Sequence, residues 1–258
     1  VDSIDLYMVH WPIDRNSMAH FAGGHTKDGG RDYSTTGQVG EPPSSYTTFH
    51  ELMQLQKEGK IKHVGVSNFG VKQLSEALET GVSISINSLA YNMIFRAIEF
   101  EIIPFCQKHG IGISAYSPLM QGLLTGAWTS AEQVPEYRAR TRHFNGKRPK
   151  SRHGEKGHEP LLMATLEKLR AISAECGISM SDLAVSWILA NPAVTSVIAG
   201  ATKAYQLEAN VKAAQFTLSS ELMEQINSAT EELKEAMGIN ADLWQGVHED
   251  GKDDGRIK

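Results

Sequence analysis

Residues 59–69, GKIKHVGVSNF, contain the end of one predicted helix, a predicted strand and the loop after it. Gly59 suits the left-handed position that commonly follows a helix C-terminus. The β-rich run 61–67 predicts a strand, and apolar residues with helical spacing over 71–78 predict a helix that ends at Gly81. A strand flanked by helices is typical of parallel α/β proteins.

The same alternation recurs along the chain. The predicted strands are 4–10, 61–67, 84–87, 111–116 and 194–198, and late helices are predicted over 161–176, 182–190 with Ser181 as its cap, 205–213 and 220–233. Helix-length connections predict parallel strands with right-handed crossovers, in a doubly wound sheet or a (β/α)₈ barrel. We expect one domain over 1–238 and a flexible Gly- and Asp-rich tail over 239–258.

Composition excludes several classes of protein. The 258 residues carry a net charge of -5, which gives no chain-wide attraction to nucleic acid. No apolar run approaches the roughly 18 residues of a membrane span. The two cysteines, Cys106 and Cys176, form neither a disulfide framework nor a metal spacing. We expect a cytoplasmic protein that binds neither nucleic acid nor a membrane; the sequence carries no signal for its oligomeric state.

Polar or aromatic residues follow each predicted strand. In parallel α/β proteins the catalytic and ligand-binding residues lie at these carboxyl ends of the strands. These ends are His10-Trp11-Pro12, Ser67-Asn68-Phe69, Asn87-Ser88, Tyr116-Ser117-Pro118 and Gly200-Ala201-Thr202. Ser, Asn and Pro are also common in turns, so any one of these groups taken alone could simply form the turn that ends its strand. Five such ends in succession favour a ligand site.

Four stretches together resemble the aldo-keto reductase superfamily, in the branch that includes potassium-channel β-subunits. They are LYMVHWP (6–12), GKIKHVGVSNF (59–69), AYSPLMQGLLTG (115–126) and SVIAGATKAYQLEANV (196–211). The resemblance implies a (β/α)₈ barrel, here N-terminally incomplete with about five of eight strands. It also implies NAD(P)H-dependent reduction of aldehydes or ketones.

The resemblance also implies roles for the strand-end residues. His10 would be the active-site histidine, which donates a hydrogen bond to the substrate carbonyl, and Trp11 would line the substrate pocket. Ser67 and Asn68 would hold the nicotinamide carboxamide, and Tyr116 would stack on the nicotinamide ring. The alternatives are a structural histidine at His10 and ordinary packing of Trp11.

The remaining cofactor positions come from the same resemblance. Those along the pyrophosphate are Ser117, Pro118, Leu119, Gln121 and Gly122, and those at the adenosine end are Gly200, Thr202, Gln206 and Asn210. Three positions depart from the family pattern: Ser88 replaces a common Gln, Gln206 a common Arg, and Ala209 a common Glu. The resemblance implies NADP as cofactor, and the missing Arg at Gln206 leaves NAD possible.

A basic segment follows the fourth predicted strand. It contains Arg138, Arg140, Arg142, Lys147, Arg148, Lys150, Arg152 and Lys156, opposed only by Glu155, a local charge of eight minus one, or +7. One interpretation is a lid whose arginines, Arg138 among them, close over the cofactor phosphates. The others are a solvated loop and a weak nucleic-acid patch.

Three catalytic residues of the family are not assigned to any position of this chain. The family's catalytic Asp, Tyr and Lys lie on units that precede the His-bearing strand, so we expect this chain to be a fragment that is inactive alone. The alternative to a reductase is a nucleotide-binding regulatory subunit that resembles the channel β-subunits.

Overall fold

A computed structural model describes residues 2–14, 17, 24–25, 31–32, 41–151, 153–245 and 256–258. Its main sheet has five parallel strands: β1 (Ile4–Val9), β2 (Ile61–Ser67), β3 (Ile84–Ala90), β4 (Gly112–Tyr116) and β5 (Val194–Ile198). A short antiparallel ladder pairs Gly24–His25 with Arg31–Asp32.

The strand order distinguishes between the two predicted architectures. The strands lie side by side in chain order, from β1 to β5, with no reversal of direction. A doubly wound sheet changes direction at a switch point, whereas a (β/α)₈ barrel keeps adding strands on the same side. The described sheet therefore has the order of five consecutive barrel strands.

Seven α-helices of the described residues accompany this sheet. They are α1 (Ser45–Lys57), α2 (Val71–Glu79), α3 (Ile102–Lys108), α4 (Glu159–Cys176), α5 (Met180–Leu189), α6 (Ala204–Ala213) and α7 (Ser220–Met237). No single one of them is long and apolar enough to cross a membrane, although α4 and α5, bent by 94°, pass that test as a pair.

The two helix C-termini predicted at glycines are confirmed, and one predicted N-cap is wrong. Gly59 and Gly81 adopt φ of 72° and 88° after α1 and α2, the left-handed conformation that glycine accepts without a Cβ clash. The cap of α5 is Ser179, whose Oγ accepts a hydrogen bond from the Asp182 N–H, and Ser181 lies inside the helix. Both serines suit an N-cap, so the sequence alone did not separate them.

Two strand predictions also require correction. β3 continues to Ala90, because it pairs along its whole outer half with β4, Ala90 lying opposite Tyr116. Asn87 and Ser88 therefore lie inside the strand. On β1, Leu6 and Met8 alternate with Tyr7 and Val9, a pattern that predicts burial of both faces of the strand. In the structure Ile4 and Tyr7 are exposed, since β1 has a single neighbour within the described sheet.

Several described residues of the C-terminal segment 239–258 are buried. Ala241, Asp242 and Leu243 are buried, and so are Arg256 and Ile257. Residues 246–255 of the predicted flexible tail lie outside the described residues. The described part of the segment is therefore packed against the domain.

Arg142 holds this segment in place. Its Nη1 donates to the Asn240 carbonyl at 2.8 Å, its Nη2 to the Met237 carbonyl at 3.1 Å, and its Nε to Glu155 at 2.9 Å. Arg148 is likewise engaged, with Nε and Nη2 each 2.9 Å from the Glu159 carboxylate. These two arginines of the basic segment are thus committed to structural contacts.

A buried histidine predicts how stability depends on pH. His143 is fully buried, its ring nitrogens lying 2.8 Å from the Ile94 carbonyl and 3.2 Å from Thr141 Oγ1, and burial lowers its pKa to about 4. As the pH falls below 6.5 the unfolded chain takes up this proton before the folded protein does. We expect the free energy of unfolding to be fully retained above pH 6.5 and to fall by about 3 kcal/mol towards pH 4.

Urea denaturation at pH 7 and pH 5 measures this effect. His153 and His158, whose pKa values burial also lowers, act in the same direction. His143→Gln should reduce the pH slope, whereas the same substitution at the exposed His63 should leave it unchanged. An equal slope in wild type and His143→Gln would contradict the prediction.

Candidate functional site

The carboxyl ends of β1 to β4 bring the predicted polar residues to one edge of the sheet. Val9 pairs with Val66, so His10 follows beside Ser67, and Ser67 pairs with Ser88 of the next strand. Tyr116 ends β4 opposite Ala90. Parallel register therefore gathers residues that are far apart in the chain, which is how α/β proteins build sites.

Asn68 is the centre of this edge. It is buried, with φ of 63°, a conformation that Asn tolerates better than most residues. Its Oδ1 accepts a hydrogen bond from the Tyr116 hydroxyl at 2.7 Å, and its Nδ2 donates to the His10 carbonyl at 3.1 Å and to Ser67 Oγ at 3.0 Å. One side chain thus ties the ends of β1, β2 and β4 together.

Ser67 and Asn87 complete the network by bonding to backbone. Ser67 Oγ donates to the Ser88 carbonyl at 3.0 Å, and Asn87 Nδ2 donates to the Phe69 carbonyl at 2.8 Å. Asn87 therefore shapes the turn after β2. The Ser88 backbone carbonyl also accepts from the Asn68 N–H at 2.9 Å.

Hydrogen-bond accounting indicates what this network can bind. Both amide hydrogens of Asn68 are engaged, while its Oδ1 and Ser67 Oγ each retain one acceptor lone pair. The edge consequently offers acceptors and can receive N–H donors, such as those of a primary carboxamide.

Tyr116 lies largely buried beneath this edge. Burial raises the pKa of its hydroxyl, and the nearby negative charge of Asp242 raises it further, so the hydroxyl is neutral at physiological pH. Its hydrogen bond to Asn68 fixes the phenol group. The residue is suited to presenting an aromatic ring rather than to giving up a proton.

The predicted pyrophosphate segment forms a tight turn after β4. Ser117 and Gln121 have φ of 57° and 54°, and Asn92 Nδ2 donates to the Ser117 carbonyl at 3.1 Å. Pro118 is buried and Leu119 half-buried in the same turn. Gly122 has a φ of 98°, a conformation that L side chains rarely adopt, and a Cβ there would lie 2.6 Å from Arg138 Nη1 and displace it.

Arg138 lies directly against this turn. Its Nη1 donates to the Gln121 carbonyl at 2.7 Å, and its guanidinium carbon lies 5.4 Å from the Trp128 ring centroid. Of the basic segment, Arg138 is thus placed beside the predicted phosphate positions, while Arg152 lies outside the described residues.

The predicted adenosine positions lie around the start of α6. Gln206 Oε1 accepts from the Thr202 N–H at 2.8 Å and the Lys203 N–H at 3.1 Å, so Gln206 caps the helix. Gly200 is exposed, and a Cβ there would meet nothing within 4 Å. Asn210 Nδ2 is buried and has no hydrogen-bond partner among the described residues, so an acceptor on a bound ligand would satisfy this amide.

His10 and Trp11 follow β1 at the same edge, with ring centroids 6.4 Å apart. The His10 side chain is exposed, and Trp11 is half-buried beneath the Arg256 guanidinium, whose carbon lies 4.0 Å from the indole centroid. Sequence reasoning missed Asn92, Asp242 and Arg256, which shape this region. Their chain positions carry no motif, so only their contacts identify them.

Comparison with known proteins identifies the chain. The Aldo/keto reductase family model matches residues 1–231. The chain belongs to the aldo/keto reductase family. A curated relative of this aldo/keto reductase chain is the NADH-specific methylglyoxal reductase of Escherichia coli (strain K12), 29% identical over 85% of the chain and 56% of the relative.

Other relatives of the chain include an enzyme and a channel subunit. The L-glyceraldehyde 3-phosphate reductase of Escherichia coli O157:H7 is 31% identical over 74% of the chain and 55% of the relative. A probable voltage-gated potassium channel subunit beta of Arabidopsis thaliana is 30% identical over 66% and 53%. The chain spans a little more than half the length of these curated relatives.

Solved structures confirm the predicted fold. A glycerol dehydrogenase of Gluconobacter oxydans has a TM-score of 0.65 at 23% identity, covering 90% of this chain and 60% of that one. A thermostable aldo-keto reductase has a TM-score of 0.57 at 23% identity, covering 89% and 61%. These neighbours are (β/α)₈ barrels, and the five-stranded sheet of this aldo/keto reductase corresponds to part of such a barrel.

Proposed function

We propose that the protein is an NAD(P)H-dependent oxidoreductase that reduces small aldehydes or ketones. The observation that carries this proposal is the hydrogen-bonded edge formed by Asn68, Tyr116, Ser67 and the His10 carbonyl. It offers acceptors for a carboxamide, an aromatic ring for stacking and an exposed imidazole at the same end of the sheet.

The residues present fit a dinucleotide cofactor. A bound reduced nicotinamide supplies the hydride. Asn68 Oδ1 and Ser67 Oγ would accept the carboxamide N–H groups, and Tyr116 would stack on the ring. The positive-φ turn at Ser117 and Gln121 would hold the pyrophosphate, with the orphaned Asn210 amide at the adenosine end supporting the fit.

His10 would act on the substrate. A neutral imidazole N–H donates a hydrogen bond to the carbonyl oxygen as negative charge develops there. Trp11 would cover one side of the substrate. Among the described strand ends we assign no counterpart of the family's Tyr acid, and the proposal names no residue as the source of the donated proton.

The choice of cofactor belongs to the proposal. We propose NADP from the resemblance to the family. NAD is the alternative, because Gln206 stands where an Arg commonly binds the 2′-phosphate and instead caps α6. Arg138, beside the Gln121 carbonyl, is the cation best situated to approach a phosphate. The ratio of the Kd values for NADPH and NADH measures this choice of cofactor.

A cofactor-binding prediction tests the network directly. Asn68→Gly removes the carboxamide but suits the backbone φ of 63°, and we expect it to raise the Kd for the reduced nucleotide about tenfold. Asn68→Ala should weaken binding to the same extent and also lower the melting temperature, because Ala is strained at positive φ. Quenching of tryptophan fluorescence by the nucleotide gives the Kd, and an unchanged Kd in Asn68→Gly would contradict the assignment.

Turnover tests the whole proposal. The protein, in the longest form that its gene encodes, should oxidise NADPH or NADH in the presence of a panel of small aldehydes and ketones. Tight nucleotide binding with very slow turnover of every carbonyl would favour the second candidate, a nucleotide-binding regulatory subunit. That candidate is supported by the similarity to the Arabidopsis channel subunit. Failure to bind either nucleotide would overturn both.

A further inference from the structure

The turn that follows β4 is held in an unfavourable backbone conformation. Ser117, Met120 and Gln121 have φ of 57°, 44° and 54°, and none of them is a glycine. The left-handed region is disfavoured for residues that carry a Cβ, so such a turn persists only where its surroundings impose it. The contacts that hold this turn therefore decide its shape.

One buried side chain from the neighbouring loop reaches the turn at two points. Asn92, which follows β3 by two residues and is inaccessible to solvent, donates from Nδ2 to the Ser117 carbonyl at 3.1 Å. The same nitrogen lies 3.4 Å from Met120 Sδ. Both amide hydrogens of Asn92 are thus engaged by residues of positive φ in the turn.

Asn92 is itself fixed by its own loop. Its Oδ1 accepts from the Ile94 N–H at 3.1 Å, and its backbone N–H and carbonyl both pair with Phe95, at 3.2 and 3.0 Å. The adjacent Tyr91 N–H donates to the Tyr116 carbonyl at 3.3 Å, which ties the loop to the end of β4. Asn92 is therefore a preorganised donor to the turn.

The two ends of the turn are held by different kinds of donor. Arg138 Nη1 donates to the Gln121 carbonyl at 2.7 Å, as Asn92 does to the Ser117 carbonyl. Arg138 is half-buried and can approach a ligand itself, whereas Asn92 is enclosed. Asn92 can consequently act on a ligand only through the turn.

The direction of the Ser117 carbonyl matters for an anion. Its oxygen is the negative end of the peptide dipole, and Pro118, the next residue, supplies no N–H to offset it. A carbonyl oxygen turned towards a phosphate would repel it. Because Asn92 is buried, its hydrogen bond directs this oxygen into the protein and away from an anion outside.

We propose that Asn92 is a positioning residue for the dinucleotide, which fixes the phosphate-binding shape of the turn after β4 without contacting the cofactor. The inference rests on the proposed function, which assigns the pyrophosphate to this turn. It gives a residue of the loop after β3 a share in the affinity for the cofactor.

Asn92→Ser tests the proposal with little disturbance of the loop. A serine hydroxyl can still accept from the Ile94 N–H, but it is one atom too short to reach the Ser117 carbonyl. We expect the Kd for ADP-ribose, which carries the pyrophosphate and no nicotinamide, to rise about tenfold. Calorimetric titration gives the Kd, and an unchanged value in folded Asn92→Ser would overturn the inference.

Asn191→Ser is the matched control in another loop. Asn191 Oδ1 also accepts from the N–H two residues on, that of Ala193 at 3.0 Å, but its Nδ2 donates to the Tyr91 hydroxyl at 3.1 Å and not to the turn. Both serine variants should lower the melting temperature, while Asn191→Ser should leave the Kd for ADP-ribose within about twofold of wild type. An equal rise of Kd in the two variants would mean a merely structural role and would also overturn the inference.

Asn68→Gly separates the inference from the proposed function. It acts at the nicotinamide and should weaken binding of the reduced nucleotide alone, whereas Asn92→Ser should weaken binding of both the reduced nucleotide and ADP-ribose. This pattern in a protein that reduces no carbonyl would support the positioning role while the proposed reaction fails. A wild type that binds neither ligand would overturn both.

A measurement on the wild type covers the case in which Asn92→Ser does not fold. Linkage requires that a ligand favoured by the hydrogen bond from Asn92 to Ser117 also strengthens that bond. Exchange of the Asn92 side-chain amide hydrogens, followed by NMR, should therefore slow about tenfold when ADP-ribose saturates the protein. Equal exchange with and without ADP-ribose would contradict the positioning role.

Discussion

We expect His10→Ala to lower kcat for carbonyl reduction by about 10²- to 10⁴-fold in the longest form of the protein. The exposed imidazole follows β1 at the edge where Asn68 joins three strands, and Asn68 also holds the His10 carbonyl. Removing the imidazole takes away a donor to the developing oxyanion but leaves the cofactor network intact. Steady-state oxidation of the reduced nucleotide measures the effect.

The affinity for the nucleotide separates this role from a structural one. His10→Ala should leave the Kd of the nucleotide within about twofold of wild type, because the proposed cofactor contacts come from Asn68, Ser67 and Tyr116. His63→Ala, at an exposed histidine within β2, is the matched control and should leave kcat unchanged. A loss of less than about fivefold in His10→Ala would exclude a direct role for the imidazole.

The second large effect is on stability. Arg142→Met should lower the free energy of unfolding by about 3–5 kcal/mol, since it breaks a largely buried ion pair with Glu155 and leaves backbone carbonyls without their donor. The Met237 carbonyl lies at the end of α7, and the Asn240 carbonyl belongs to the C-terminal segment that carries Asp242. Urea denaturation gives the change in free energy.

Lys150→Met is the control for this substitution, because it removes the same charge from the same basic segment at an exposed position. We expect it to change stability by less than about 0.5 kcal/mol. Similar values for the two variants would mean that Arg142 does not anchor the C-terminal segment. Protection of residues 237–245 from hydrogen exchange should fall in Arg142→Met alone.

Much of the fold was predictable because its signals are local. The alternation of strand-like and helix-period runs depends on neighbouring residues, and so do the glycines that end α1 and α2. The end of β3 was not predictable, because its last residues adopt strand conformation only through their pairing with β4. The choice between Ser179 and Ser181 as cap depended on which hydroxyl reached a free N–H.

The basic segment illustrates a different limit. The count of charges along 138–156 suggested an excess available to phosphates, with Glu155 as the single opposing residue. In the folded protein Arg142 binds Glu155 and the C-terminal segment, and Arg148 binds Glu159, just beyond the counted range. Net charge along a sequence does not tell which charges are paired, since pairing is set by distance in space.

The sequence by itself determined the class of fold, the strand ends that carry polar groups and the family to which the chain belongs, because hydrophobic period and motif order are properties of the chain alone. The tertiary structure decided that the strands run in chain order, that Asn68 joins three of them, and that Arg256 pairs with Asp242 over Trp11. Such contacts join residues far apart in the chain, and their geometry exists only once the sheet is paired and the C-terminal segment is packed.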